Sequence, residues 1–227
     1  MSEILSAAVD LAGRTAGFAL MRGEELLLAR TRPMRGRDSA GLAPWIAEEL
    51  KAFGLTVNDV ARWSVGSGPG SFTGMRLAAA LVAGWTFGKT GVETRCIPTA
   101  TAYAVRASAA EGEKIGCLFD GRNHELIYFG MIVCDGEPVP TGEEKVLNRE
   151  QAESFFAAAP AEHLVASSTE LPALELLLDK AVLQRVLPVE TPDFTALIRA
   201  KFRPYDNNLT DLVYIRPAVF TAPQTGA

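Results

Sequence analysis

Apolar and polar positions divide the first half of the chain into short strand-like runs followed by longer helical periods. Ile4–Asp10 is apolar almost to its end, Thr15–Met21 follows a turn at Gly13, and Glu25–Arg32 follows another at Gly23. This pattern predicts three strands joined by tight turns. Leu42, Ile46, Leu50 and Phe53 then recur at steps of 4, 4 and 3, the spacing of one helix face, and predict a helix over Ser39–Phe53. Ser39 supplies an N-cap, Pro44 fits the opening turns and Gly54 follows as terminator. Arg62–Val65 predicts a buried strand, Ser71–Gly88 a second helix, Thr94–Ile97 a further strand and Thr99–Ala110 a third helix. The order β-β-β-α-β-α-β-α implies a mixed α/β fold with a partly parallel sheet. A purely parallel doubly wound sheet fits less well, because the opening strands are joined by such short turns.

The second half starts again with strands, at Lys114–Asp120 and Glu125–Cys134 around a Gly-Arg-Asn-His turn. Helices are expected at Arg149–Ala158 and Pro172–Asp179, and strands at His163–Ser167 and Val182–Leu187. Apolar periodicity gives way to Ala, Glu and Gly over Ala110–Lys114, which places a boundary between a lobe at 1–110 and a smaller one at 111–227. Thr221–Ala227 reads as a loose tail.

Composition narrows the function classes. With 227 residues, 48% apolar and 22% charged, the chain is of ordinary globular composition. The longest uncharged apolar run, Leu77–Gly88, is twelve residues, against about twenty for a membrane span, so no membrane partner is expected. The opening MSEILSAAVD lacks the basic start of a signal peptide. Cys96, Cys117 and Cys134 form no C-x-x-C pair and read as reduced thiols of a cytoplasmic protein. His124 and His163 belong to no zinc-binding spacing, so neither a zinc hydrolase nor another metal site is expected. The net charge of −5 is unevenly divided: residues 1–110 hold 12 Lys/Arg against 9 Asp/Glu, residues 111–227 hold 10 against 18. The acidic half is unsuited to gripping nucleic acid alone. Arg30, Arg32, Arg35 and Arg37 form the sole basic cluster and read as a solvated strand edge, with contact to tRNA or an acidic partner as the alternative.

The most informative segment is Val65-Gly66-Ser67-Gly68-Pro69-Gly70-Ser71-Phe72-Thr73-Gly74-Met75-Arg76, between a strand and a helix, where free backbone N–H groups favour an anion. A dinucleotide fingerprint starting at Gly66 meets Ser71 at its third glycine, and neither Ser67 nor Ser71 satisfies G-x-S-x-G. Gly88-Lys89-Thr90 matches only a relaxed P-loop pattern, with Trp85 and Phe87 where phosphate-binding backbone is needed and with helix rather than strand before it. Ser71 is a fair N-cap, but the first turn lacks acid and contains Arg76, a cation at the positive helix end. That helix end favours a negative partner, a carboxylate from the other half or a bound anion; the alternative is a serine-capped Gly/Pro turn with Arg76 paired internally. Ala80, Gly84 and Gly88 share a stripe with Ala79 and Ala83 beside it, while Leu77, Leu81, Val82, Trp85 and Phe87 make the helix apolar nearly all round. Such a helix is covered on more than one side, and glycines within it favour close packing on another subunit.

At Gly68-Pro69-Gly70-Ser71-Phe72-Thr73-Gly74-Met75-Arg76 the chain resembles the TsaB (YeaZ) family, the non-catalytic partners in bacterial synthesis of threonylcarbamoyladenosine on tRNA. The resemblance runs from Ile4 to about Pro217. It is echoed by Asp10, by Ser39-x-x-Leu42-x-Pro44, by Asp120-x-Arg122-x-x-Glu125 and by Val213-Tyr214-Ile215-Arg216. It implies a duplicated actin-like, ribonuclease-H-like two-lobe α/β fold with mixed sheets. It also implies pairing with a TsaD-like subunit that performs the transfer to adenosine 37, a TsaE-like ATPase as third member, a homodimer when alone, tRNA contact only through the complex, and no cofactor or protease activity of the chain itself. The implied partner interface comprises Leu42, Trp45 and Ile46 of the first helix, the turn residues Pro69, Gly70, Ser71, Phe72, Thr73 and Gly74, and Arg76, Leu77, Ala80, Ala83, Gly84 and Phe87 of the second. After Asp10 the family tends to carry hydroxyl residues and this chain has Leu11-Ala12-Gly13; before Ser39, where His is common, stands Asp38. Two alternatives stay open: an actin-like ATPase or phosphotransferase using Asp10 and the Gly-rich turn, and a paralogue with another protein partner.

Overall fold

The computed structural model describes residues 3–34 and 38–215; Arg35, Arg37, Arg216 and the Thr221–Ala227 tail lie outside them. β1 (Leu5–Asp10), β2 (Thr15–Arg22) and β3 (Glu25–Pro33) form an antiparallel meander. α1 (Leu42–Lys51) leads to β4 (Arg62–Gly66), and α2 (Phe72–Thr86) to β5 (Glu93–Ile97). Both strands add in parallel, as helical crossovers allow, giving the order β3-β2-β1-β4-β5. After α3 (Ala100–Ala104) the plan repeats. β6 (Lys114–Asp120), β7 (Leu126–Cys134) and β8 (Glu137–Leu147) form a second meander. α4 (Arg149–Ala157), β9 (His163–Ser167), α5 (Leu171–Leu174), α6 (Lys180–Leu183), β10 (Val186–Val189) and α7 (Thr195–Arg199) complete the elements of the described residues. The second sheet, β8-β7-β6-β9-β10, has the order of the first. The mixed, duplicated architecture is therefore present in full.

Every residue of β1 is buried because both faces of its sheet are covered. Leu5, Ala7 and Val9 face a core shared with Leu42, Ile46 and Leu50 of α1 and Ala78 and Val82 of α2, while Ala8 faces Phe194 and Leu197 around α7. The second sheet divides likewise. Leu118, Leu126 and Tyr128 pack with Phe156 and Leu174, and Ile115, Cys117, Phe119 and Phe129 pack with Tyr103 and Ala104 of α3. α3 and α7 also touch each other, so the inner faces of the two lobes meet through them. Among the described residues no helix is long and apolar enough to cross a membrane. Cys96 and Cys117 are buried free thiols and Cys134 is exposed.

Several sequence expectations are corrected. α1 begins at Leu42, after a 3₁₀ turn at Asp38–Gly41, with Gly41 rather than Ser39 as N-cap; Gly54 follows the helix with φ +70° as expected. The third helix stops at Ala104 instead of Ala110, because the alanine-rich run turns through Ser108 at φ +50°. Pro172–Asp179 is helical only over its first turn. Val182 and Leu183 end a new helix capped by Asp179, whose carboxylate accepts the Val182 N–H at 2.8 Å, so the strand there is Val186–Val189. β8 lacks apolar alternation and contains Pro138 and Pro140; it is an edge strand, where proline is tolerated and pairing with β7 rather than burial defines it. The chain after Asp193 returns to the first lobe: α7 packs on β1 and β2, and Leu209 and Leu212 join that lobe's core.

Candidate functional site

The Gly-rich turn is built around the end of β1. Asp10 is 1% exposed, and its carboxylate accepts the Ala12 N–H at 2.9 Å and the Thr99 hydroxyl at 2.6 Å. Thr99 Oγ in turn accepts the Gly68 N–H at 2.9 Å, tying β1, the end of β5 and the turn together. Gly66 lies where any Cβ would strike the Asp10 carboxylate. Burial raises the Asp10 pKa above the usual carboxylate value, against the opposing hydrogen bonds from Thr99 and Ala12. Asp10 is thus a strand-end carboxylate satisfied inside the protein, and it does not line the interlobe cleft.

Ser71 caps α2, its Oγ accepting the Gly74 N–H at 3.2 Å. Gly74 is buried against the Leu11 carbonyl oxygen, a close approach that leaves no room for a side chain, and Pro69 is buried as well. Leu42 and Ile46 are 0% exposed. All four are thus buried within the chain itself. Trp45 is half-buried, edge-on to Phe18 with centroids 6.3 Å apart, its Nε1 donating to Glu49 Oε1 at 3.0 Å. The physical reason is the shape of each apolar pattern. α1 has a single apolar stripe and the chain's own core uses it. α2 is apolar around most of its circumference; the core buries Met75, Ala78, Ala79 and Val82 and takes Leu77, Leu81 and Trp85 at its margin, which leaves the opposite face bare.

What α2 leaves uncovered is one face: Thr73, Arg76, Ala80, Ala83, Gly84 and Phe87 are exposed, and Leu77, Phe72 and Ser71 are half-buried. Phe87 is 88% exposed, and a Cβ on Gly84 would meet nothing within 4 Å. Arg76 has no carboxylate partner among the described residues. Its guanidinium lies 3.7 Å over the Phe72 ring and 5.7 Å from that of Tyr214, and its Nε donates to the Tyr214 hydroxyl at 3.2 Å. Gly88 ends the helix with φ +70°, and Lys89 donates to Asn58 Oδ1 at 2.6 Å, so no phosphate loop forms there.

Beside the N-terminus of α2 a cleft of about 1140 Å³ separates the lobes, walled by Phe72, Met75, Phe119, Ile127 and Tyr214. Across it Arg14 of the first lobe pairs with Asp120 of the second at 3.2 Å. Asp120 repeats the role of Asp10 at the end of its own strand, accepting the Arg122 N–H at 2.8 Å. Glu170, also lining the cleft, accepts the Asp120 N–H at 3.0 Å, and its pKa is raised chiefly by burial. Nothing in the sequence singles out Arg14 or Glu170; they meet only because the two lobes face each other.

Two like-ordered five-stranded sheets with helices on both faces define an actin-like, ribonuclease-H-like two-lobe protein. A Pseudomonas aeruginosa structure described as similar to peptidase YeaZ superimposes with TM-score 0.69 at 22% identity over 86% of this chain and 89% of that one. YeaZ from Pseudomonas aeruginosa gives 0.68 at 21% over 86% and 91%. The family model for TsaD, tRNA N6-adenosine threonylcarbamoyltransferase, matches residues 37–154, just over half of the chain. The chain belongs to that family and is TsaB/YeaZ-like within it. The tRNA threonylcarbamoyladenosine biosynthesis protein TsaB of Haemophilus influenzae is 32% identical over 141 residues, 59% of this chain and 56% of that protein. The protein of the same name from Bacillus subtilis is 27% identical over 128 residues, 55% and 53%. The chain spans about half the length of the curated relatives it matches.

Proposed function

We propose that the chain is a non-catalytic subunit in the synthesis of threonylcarbamoyladenosine on tRNA, docking a TsaD-like protein through the exposed face of α2. In the absence of that partner it pairs with a second copy through the same face, and a TsaE-like ATPase joins the heterodimer. The observation that carries this reading is the uncovered face from Thr73 to Phe87, small at Ala80, Ala83 and Gly84 and ended by an exposed phenylalanine. Small residues let a second helix approach closely, and a large exposed aromatic at the end supplies the kind of anchor that dominates interfaces. The names of the Haemophilus and Bacillus relatives support the pathway. The sealed Asp10 speaks against the alternative of a stand-alone ATPase.

Co-expression with the host's TsaD-like protein and recovery of the complex tests the proposal. A specific interface of ordinary size buries about 1,600 Å². Gly84→Arg is expected to abolish both the heterodimer and the homodimer by light scattering while leaving the monomer folded by circular dichroism, since a side chain at Gly84 meets nothing in the monomer. A Gly84→Arg chain that still co-purifies with the TsaD-like protein refutes the assignment of the face.

A further inference from the structure

The last described residues form a strap between the lobes. Leu209 and Leu212 pack on the core of the first lobe, whereas Val213 and Ile215 pack on the cluster formed by α3 and the second sheet. The crossing is pinned by one backbone bond, from the Val213 N–H to the Ser67 carbonyl at 2.8 Å. Between these anchors Tyr214 turns to α2. Its ring centroid lies 5.1 Å from that of Phe72, and its hydroxyl accepts from Arg76. Val213, Tyr214, Ile215 and Phe72 all line the interlobe cleft. Arg76 therefore belongs to two surfaces at once: it is exposed on the free face of α2, and it clamps the strap that bridges the lobes.

The clamp is held by interactions that a docking protein can outcompete. Arg76 lies near the positive end of α2, where a cation is unfavourable, and among the described residues no carboxylate compensates it. Its stack on Phe72 and Tyr214 is open to water, with Tyr214 43% exposed. A carboxylate brought to the guanidinium forms charge-assisted, bidentate hydrogen bonds, stronger than a solvated aromatic stack. We propose that Arg76 couples occupancy of the α2 face to the width of the cleft: an acidic side chain of the docked protein draws the guanidinium away from Tyr214 and releases the 209–215 strap. The inference rests on the docking role given to α2, and it specifies the partner's chemistry as a carboxylate facing the first two turns of that helix.

The test reads the cleft directly. Nitroxide labels at Pro33→Cys and Thr169→Cys sit on exposed residues that line the cleft from opposite lobes, with the exposed Cys134 replaced by serine and the buried Cys96 and Cys117 left in place. Distance distributions from electron spin resonance are compared for the full chain and for Arg76→Gln and Tyr214→Leu. In the isolated chain, diluted until light scattering shows a monomer, each variant is expected to raise the population at longer distance about fivefold, the change that loss of one modest interaction produces. Adding the TsaD-like protein is expected to shift the parent the same way. Distributions in both variants that match the parent overturn the coupling. A parent distribution that does not move although light scattering shows the complex formed overturns it too. If no complex forms, the docking role fails instead, and the isolated variants still decide whether Arg76 controls the cleft.

Discussion

Replacing Arg95 by methionine tests what holds the returning C-terminal segment on the first lobe. Arg95 is 3% exposed on β5, and every donor group it has is engaged. Nε reaches Ser64 Oγ at 3.0 Å. Nη1 reaches the carbonyls of Ala200 and Arg203 at 2.7 and 2.6 Å, and Nη2 those of Leu197 and Ile198 at 3.0 and 2.7 Å. Tyr205 covers the guanidinium at 4.2 Å. The four carbonyls belong to the end of α7 and the chain just beyond it, where carbonyls lack helical partners and a cation is favoured. Methionine restores much of the volume and none of the donors. Each carbonyl left without a donor costs about 1 kcal/mol or more. Removing a buried cation, whose pKa burial already pulls below the ordinary arginine value, offsets part of this. The net loss is expected to be about 3–5 kcal/mol, as for other broken buried charge networks. At about 2–4 °C per kcal/mol for a chain of this size, that lowers the melting temperature by roughly 10 °C. Urea unfolding measures the loss, and hydrogen exchange over residues 195–213 locates it. A loss under about 1 kcal/mol, or faster exchange spread evenly over both lobes, refutes the reasoning.

Two further outcomes follow from the turn. The Asp10 pKa lies above its ordinary 3.8, so the folded protein binds that proton more tightly than the unfolded chain. The group's contribution to stability is full below about pH 4, is lost as pH rises through the folded value, and is flat beyond it. Asp10→Asn, which keeps an acceptor for Ala12, is expected to gain on the parent over that window in urea unfolding, and a difference independent of pH refutes this. Gly74→Ala and Gly84→Ala should have opposite signs. The first drives a methyl onto the Leu11 carbonyl oxygen and costs about 1–3 kcal/mol, while the second meets open space and gains about 1 kcal/mol of helix propensity. Equal signs in the same unfolding assay refute the packing argument.

Local pattern and tertiary arrangement contributed differently to each part of the site. The N-cap at Ser71 and the terminator at Gly54 are chain-local devices, and both stand where residue type and spacing put them. Leu42 and Ile46 show the opposite case: their spacing marks an apolar stripe, but a stripe packed on the chain's own core and one packed on a partner have the same period. Edge strand β8 left no apolar alternation to recognise, since its position follows from hydrogen bonding to β7. The strand expected at Val182–Leu187 was displaced by an Asp179 cap that competes locally for the same backbone.

The amino-acid pattern alone specified the order of strands and helices in the first half of the chain, the mixed sheets, the fold family and the unusual character of α2, because these depend on periods and on a nine-residue motif. Tertiary structure decided which face of α2 stays bare, what Arg76 does with no acid beside it, and that Asp10 is sealed while Asp120 meets Arg14 across the cleft. These contacts join residues up to 138 positions apart in the chain. No local propensity specifies them; they exist because two copies of one plan face each other and a returning strap closes the gap between them.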